Sequence, residues 1–349
     1  MASRPARVSG DLAGSTDGSG LPARIGARRP AFVGRERELA SLADLLQAAE
    51  RGEAGVVLLS GEPGIGKSGL LREFSARALR DGWLVLSGRA YDTEGMPPYL
   101  PFVEVLRQYV QASSGEELQS IVSAAPEIAM LLPEVAVRLD PVSPGRLDPE
   151  SERYALFQSV SEFFLHAADS TEARGLLICL DDLHWADRST LLLFQHLVRN
   201  VTAARLCLAA TYRTVGVDAG HPLFSILADL TRERLYEGFT LAPLSSDEPA
   251  SLVAALTGRK AIPLPLSEAV YARTNGNPFF IEELLRHLQT DGRDLDDPEL
   301  ISRQWGIPEG VRQVIGRRIN RLSPGDRRLL EAAAVLGDTL AGGNLSTAF

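Results

Sequence analysis

Lysine is almost missing from this sequence: Lys67 and Lys260 are the only two among 36 basic residues. A chain that draws its positive charge from arginine has little general need of an ammonium group, so a lysine inside a phosphate motif calls for a chemical reason. Cysteine is equally scarce. Cys179 and Cys207 both fall inside apolar, strand-like runs, which argues against a disulfide framework and fits a reducing cytoplasm. Long apolar stretches are absent too. The longest, such as Leu176-Leu177-Ile178-Cys179-Leu180, are strand-sized, well short of the roughly 18 residues a membrane helix needs. No signal-peptide pattern precedes the fold, so a cytoplasmic protein without a membrane partner is expected. An excess of positive charge is also lacking: the net charge is −9, which argues against a chain whose main business is coating nucleic acid.

What is present is enough for a real core. Hydrophobic residues make up 45% of the 349 and charged residues 23%, which suits two domains or one large α/β domain with an appendage. Residues 1–30 carry Gly, Ser, Ala, Pro and arginine without apolar periodicity and read as a disordered arm. Leu39, Leu42, Leu46 and Ala49 then recur at helical spacing before Gly52. A buried-type strand follows over Val56–Ser60, a helix with Leu71, Phe74 and Ala78 on one face, and a strand over Trp83–Leu86. Strand, loop, helix and strand form a βαβ unit, and strands apolar on both faces imply a covered parallel sheet. Residues 97–170 interrupt the alternation with helical patterns at Phe102–Val110, Glu117–Leu132 and Glu152–Ala168. The alternation resumes with strand Leu176–Leu180, helix Ser189–Val198, strand Leu206–Thr211, helix Leu223–Leu230 and a short strand near Tyr236–Leu241. From Ser245 onward the pattern is helical only, at Pro249–Leu256, Leu266–Ala272, Pro278–Leu288 and Val311–Leu322.

Gly61-Glu62-Pro63-Gly64-Ile65-Gly66-Lys67-Ser68 matches G-x-x-x-x-G-K-[ST] without a gap, between a buried strand and an amphipathic helix. The glycines let the backbone curl so that successive N–H groups face phosphate oxygens, and the helix adds its positive N-terminal end. Lys67 is a compact charge that can reach the β- and γ-phosphates, and Ser68 offers a hydroxyl to Mg²⁺. The contacts to ATP or ADP are therefore expected from Gly61, Pro63, Gly64, Ile65, Gly66, Lys67, Ser68 and the adjoining Gly69. The bland alternative is a Gly-rich turn with an incidental lysine, and the scarcity of lysine counts against it.

The strand Leu176–Leu180 ends in two carboxylates, Asp181 and Asp182, at the sheet edge where ligands of open α/β folds bind. Asp181 is expected to hold Mg²⁺ with Ser68, and Asp182 to polarise the attacking water. Aspartate is one methylene shorter than the glutamate often seen in the second role. Either carboxylate could instead cap the following turn. Asp187 most simply caps the helix near Ser189. A metal site at His184 is not expected, for want of a second ligand at the right spacing. Arg213, just beyond strand Leu206–Thr211, would sit beside the acidic strand and could sense a γ-phosphate, or lie on a solvated loop. Asn277 and Pro278 read as an N-cap and first helical residue, a structural role that needs no ligand.

In this order, Phe32-Val33-Gly34-Arg35-Glu36, the phosphate loop, Leu180-Asp181-Asp182-Leu183-His184-Trp185-Ala186-Asp187, Arg213 and Gly276-Asn277-Pro278 resemble the STAND-type signalling ATPases. The likeness is to the ATPase module of large ATP-binding LuxR-type bacterial regulators, itself similar to origin-recognition AAA ATPases, and it covers about residues 31–335. The resemblance implies a P-loop NTPase sheet of order 5-1-4-3-2 flanked by helices. It implies an adenine pocket lined by Val33, Gly34 and Arg35, Arg213 as first sensor of the γ-phosphate, and a helical lid that touches the nucleotide through Pro278.

The implied organisation is an ATPase domain over 31–244 with a helical insertion at 97–170, a helical lid over 245–322, and an incomplete winged helix over 323–349. Family members usually continue into a sensor region and a DNA-binding helix-turn-helix, so a truncated regulator, or a switch module needing a protein partner, is expected. Sequence-specific DNA binding is not carried over. The favoured reading is a slow, Mg-dependent ATPase used as a signalling switch. Its rivals are a nucleotide-binding scaffold with negligible turnover and a ring-forming replication or remodelling ATPase with nucleotide-dependent oligomers.

Overall fold

The structure is a computed structural model that describes residues 31–336 except 94, 114, 139–147, 171, 202, 292–294, 296–307 and 321. The expected arm at 1–30, and residues 337–349 of the expected winged helix, lie outside the described residues. The chain divides into two compact units between Leu244 and Ser245. Among the described residues, no helix is long and apolar enough to cross a membrane.

The first unit is a five-stranded parallel sheet of order β2-β3-β4-β1-β5, the 5-1-4-3-2 order read from its other edge. Its strands are β1 (Gly55–Gly61), β2 (Leu84–Arg89), β3 (Leu176–Asp181), β4 (Leu206–Thr211) and β5 (Glu237–Leu241). β3 and β4 are buried along their whole length, as strands covered on both faces must be. Side-chain alternation then sorts them into two cores. Val57, Leu59, Leu177, Cys179, Cys207 and Ala209 face α1 (Glu36–Glu50) and α2 (Lys67–Arg80). Leu58, Leu176, Ile178, Leu180, Leu208 and Ala210 pack into the opposite layer.

That opposite layer gives the helical insertion a use. It contains α3 (Leu100–Ala112) and α7 (Pro149–Ser170), together with α8 (Arg188–Asn200) and α9 (Pro222–Glu233). Phe102, Phe163, Phe164 and Phe194 are fully buried there. The helix expected over Glu117–Leu132 is in fact two, α4 (Gly115–Ala124) and α5 (Ile128–Leu131), with α6 (Pro133–Arg138) after them. Pro126 explains the break, because it has no N–H to donate and its ring crowds the preceding turn.

α3 also finishes the edge of the sheet. Gly88 of β2 runs so close to α3 that a β-carbon there would come within 1.9 Å of the Pro101 carbonyl oxygen. Gln108 completes the outer rim: its amide oxygen accepts from Ser87 N–H at 3.0 Å, and its amide nitrogen donates to Ser87 O at 2.6 Å. Glu104 accepts from Arg89 N–H at 2.8 Å. Side chains thus stand where another strand would pair, which removes an open edge.

The second unit, described by itself, is helical: α10 (Glu248–Thr257), α11 (Leu264–Thr274), α12 (Pro278–Thr290), then Glu309–Asn320 and Pro324–Leu336. Val253, Val270, Ile281, Leu285 and Leu288 are buried within it.

Candidate functional site

The site lies at the carboxyl ends of β1, β3 and β4. β1 ends at Gly61, whose φ of 145° only glycine adopts readily, and Gly64 and Gly66 follow at 83° and 101°. Ile65 anchors the loop, 1% exposed against the α1–α2 core. Gly66 is the N-cap of α2 and supplies no capping side chain. The helix start is therefore left to an anion, with the axial dipole favouring one. Lys67 is buried, and its Nζ donates to Gly61 O at 2.9 Å and Glu62 O at 2.8 Å. The ammonium bridges the loop it belongs to, at the position where a phosphate would compete for it.

Ser68 Oγ donates to Asp181 Oδ1 at 2.9 Å. Thr211 Oγ1 donates to the same oxygen at 2.6 Å and accepts from Asp182 N–H at 2.8 Å. Asp181 is 2% exposed. Burial first, and the neighbouring Asp182 charge second, hold its carboxyl above the usual range, against the hydrogen bonds from Thr211 and Ser68 and the charge of Arg89. A hydroxyl and a carboxylate 2.9 Å apart beside the phosphate loop are the hard oxygen donors that Mg²⁺ takes, so the residues fit that ion.

Asp182 takes a left-handed backbone, φ 61° and ψ 41°, an arrangement that costs a non-glycine residue about 1–3 kcal/mol. Its carboxylate is thereby turned toward the end of β2, where Arg89 donates to Oδ2 at 2.6 Å. Burial works against the charged guanidinium, but the hydrogen bond to Asp182 and the charges of Asp181 and Asp182 together raise the Arg89 pKa. A short 3-10 turn, Leu183–Trp185, follows. His184 Nε2 stands 3.9 Å from Asp182 Oδ1, and its ring tilts against Trp185 at 4.8 Å. Burial, opposed by Asp182 and aided by Arg213, Lys67 and His221, lowers the His184 pKa to about 4, so the ring is neutral at pH 7. Arg213 lies over the Trp185 ring at 5.3 Å. Thr214 N–H meets Gly61 O at 3.4 Å, which ties the Arg213 segment to the phosphate loop.

The amino-terminal approach is fixed by Arg35. With φ at 69°, it sends its guanidinium to Ala242 O, to Ile65 O at 3.4 Å and to Glu38 at 3.1 Å. Gly34 also takes positive φ, Val33 is half-buried, and Phe32 lies beside Gly69. Val33, Gly34, Arg35, the loop, Asp181, Asp182 and Arg213 therefore all belong to the first unit. Pro278 belongs to the second, at the first position of α12, where Asn277 caps Phe279 N–H at 3.1 Å. Asp187 caps α8 through Ser189 and Thr190 N–H at 2.8 and 3.1 Å, as its spacing predicts. Sequence reasoning missed Arg89 and Thr211. Both are the last residues of strands, and the parallel register pairs Arg89 with Asp181; once the sheet order is known, that position is the signal.

The AAA ATPase domain family matches residues 31–209, and a domain of unknown function (DUF8739) matches residues 245–292. An uncharacterised protein of Rhizobium meliloti (strain 1021), R02095, is 26% identical over 331 residues, 88% of this chain. The chain spans only 30% of the length of that relative. Among solved structures, similar chains include one in Drosophila ORC bound to DNA, with a TM-score of 0.47 and 15% identity over 89% of this chain and 70% of that one. A mutant RuvB of Thermotoga maritima gives 0.43 and 15%, over 91% and 82%. A STAND protein with a tetratricopeptide repeat sensor, PH0952 from Pyrococcus horikoshii, gives 0.42 and 16%, over 88% and 35%.

Proposed function

The chain belongs to the AAA ATPase domain family, which matches more than half of it, and from that premise we propose that it is a slow, Mg-dependent ATPase whose nucleotide state acts as a signalling switch. ATP binding and hydrolysis with Mg²⁺ are general to such domains. The observation that carries the finer reading is the bond from Ser68 Oγ to Asp181 Oδ1 at 2.9 Å, beside a lysine already clasped by the loop carbonyls. In this reading Lys67 and the N–H groups from Gly64 to Gly69 hold the phosphates, with Gly61 and Pro63 shaping the turn. Ser68 and Asp181 hold Mg²⁺, which when bound neutralises phosphate charge as the γ-phosphate leaves. Asp182 directs water, Arg213 senses the γ-phosphate, and the Val33–Arg35 segment borders adenine. Pro278 is the contact through which a helical lid over residues 245–322 would feel the nucleotide.

Slow turnover is supported by the engagement of Asp182 Oδ2 with Arg89 at 2.6 Å, since the guanidinium occupies acceptor capacity that a water would otherwise use. The same contact favours the scaffold with negligible turnover as the second reading. A switch is energetically reasonable. Charge-assisted hydrogen bonds are worth about 1.5–3 kcal/mol each, and moving a two-state element from 1:99 to 99:1 takes about 5.5 kcal/mol. Two or three γ-phosphate contacts supply that. The wider role, as the ATPase part of a larger transcriptional regulator, is a proposal on sequence resemblance alone.

Denaturing the purified chain and separating any released nucleotide by chromatography tests the reading. Stoichiometric ADP supports an occluded switch. An empty protein that turns ATP over quickly counts against the switch, and one that binds no added nucleotide removes the site.

A further inference from the structure

Trp185 is a half-buried indole beside the acidic end of β3, and the reading above gives it no task. The guanidinium carbon of Arg213 stands 5.3 Å from its ring centroid, inside the roughly 6 Å at which an aromatic face attracts a cation. Indole offers the strongest such face of the aromatic side chains. The pair therefore joins the arginine read as the γ-phosphate sensor to a residue of a different strand end.

Both partners are tied to one frame. Trp185 N–H donates to Asp182 O at 2.9 Å and Ala186 N–H to Leu183 O at 3.0 Å, which closes the 3-10 turn on the end of β3. From the other side, His221 Nδ1 accepts from Leu223 N–H at 3.1 Å, so its Nε2 carries the proton and donates to His184 O, also at 3.1 Å. The His184 ring backs the indole at 4.8 Å with a tilt of 41°. Arg213 opens the same β4–α9 connection that ends at His221, and the next residue, Thr214, reaches Gly61 O with its N–H at 3.4 Å. The indole is thereby held against the connection that carries Arg213, and that connection against the phosphate loop. After burial, the charges of Arg213 and Lys67 are among what oppose protonation of His184, so guanidinium and ammonium bear on one place.

An arginine that must tell three phosphates from two needs a fixed position that costs it few donors. A carboxylate partner would fix it, but would take up N–H groups and rival the phosphate as an anion. A ring face attracts the cation while using none of the five N–H donors of a guanidinium. It also removes side-chain freedom that phosphate binding would otherwise have to freeze. On the reading that Arg213 senses the γ-phosphate, on which the inference rests, we propose that Trp185 is its positioning residue. The indole face holds the guanidinium in place for the γ-phosphate and so sets how strongly the site prefers ATP to ADP. The role belongs to the face of the ring and not to its N–H, so another aromatic side chain can take it and an aliphatic one cannot.

The test measures calorimetric affinities of the full chain for Mg-ADP and for Mg-ATPγS, a slowly hydrolysed ATP analogue. The variants are Trp185→Leu, Trp185→Tyr, Arg213→Ala and the double Trp185→Leu with Arg213→Ala. The quantity read is the ratio of the two affinities, from which a general loss of nucleotide binding cancels. We expect Trp185→Leu to lose about tenfold of the preference for ATPγS, the size of a partly desolvated cation–π contact, and Trp185→Tyr to keep most of it. With Arg213→Ala in place, Trp185→Leu should change the ratio by less than twofold, because the two side chains act as a unit. A leucine variant whose ratio stays within twofold of wild type overturns the proposal, whatever it loses in overall affinity. Tyrosine as poor as leucine overturns it, and so do losses that multiply in the double variant. A second measurement keeps the shape of the side chain: mono-, di- and tetrafluorotryptophan placed at Trp185 draw charge from the ring face. The preference should fall stepwise along that series, and a flat series overturns the proposal even where the leucine variant does not fold. If Arg213→Ala keeps the wild-type preference, the sensor reading itself falls and the inference with it. If Arg213→Ala loses the preference and the Trp185 variants do not, only the inference falls.

Discussion

Arg89 and Asp182 meet at 2.6 Å across the ends of two neighbouring strands, although 93 residues separate them in sequence. The aspartate is buried, and the arginine is 47% exposed, so the grip is releasable from solvent. Arg89→Ala should therefore free Asp182 Oδ2 to accept from water and speed steady-state ATP turnover several-fold, with Mg-ATP affinity unchanged within about twofold. The stability cost should stay at about 1 kcal/mol, as for other half-exposed pairs. Slower turnover would mean that Arg89 assists the reaction instead of restraining it.

Lys67→Ala should abolish measurable nucleotide binding while leaving the fold intact. The ammonium donates to two carbonyls of its own loop, Gly61 O and Glu62 O, and those can turn to water once the side chain is gone. Two charge-assisted phosphate contacts at about 1.5–3 kcal/mol each amount to a loss of roughly 100-fold or more. Titration with a fluorescent ATP analogue, alongside circular dichroism, reads both halves. Normal affinity in this variant would remove the site.

Much of this was legible in the sequence, and the reasons are physical. β1, β3 and β4 are buried on both faces, so they stand out as apolar runs, and the phosphate loop needs particular residues at every position. Asp181 was readable because it ends such a run. Arg89 was not, since nothing local distinguishes it among so many arginines; only the parallel register of β2 on β3 brings it to the carboxylates. The same holds for Thr211, whose hydroxyl touches both Asp181 and the Asp182 amide. The edge cover from Glu104 and Gln108 was hidden because helical periodicity records which residues face the core, not which polar ones meet a strand end.

His184 sets a pH dependence of stability whose sign follows from its environment. Its folded pKa lies at about 4, below its ordinary 6.5, chiefly through burial. Between those values the unfolded chain binds a proton that the native ring refuses, so stability falls as pH drops from 6.5 toward 4. Asp181, raised in the fold, acts in the opposite sense at acid pH, so wild type alone is ambiguous. The difference between wild type and His184→Phe isolates the histidine. In urea unfolding the variant should gain on wild type steadily as pH falls through this window; parallel curves would show a ring that is accessible to protons in the native state.

Gly88→Ala should be among the most damaging single-methyl changes in the first unit. Its new carbon would fall 1.9 Å from Pro101 O and 2.7 Å from Pro101 C. Both are backbone atoms that no side-chain rotation can move. The strand and α3 must part, at a cost of about 3 kcal/mol, or a melting temperature lower by about 6–12 °C for a unit of this size. A loss under 1 kcal/mol would mean that α3 is only loosely docked on the sheet.

Gln108 gives a sharper test of how α3 seals the sheet. Its amide meets both backbone groups of Ser87, on an edge where no further strand pairs among the described residues. Gln108→Ala leaves a donor and an acceptor in a partly buried place, at a cost of about 1–3 kcal/mol. Gln108→Glu keeps an acceptor for Ser87 N–H but sets a carboxylate oxygen against Ser87 O, so an ionised glutamate should be no better than alanine. Lowering the pH should then favour the glutamate variant, because a protonated carboxyl can donate to Ser87 O. Native-state hydrogen exchange distinguishes a local edge from a global effect. The Ser87 amide should exchange faster in both variants, with amides of β4 in the middle of the sheet shifted only by the global loss. Equal loosening of Ser87 and of β4, beyond that loss, would make Gln108 a general packing residue and not the seal of one edge.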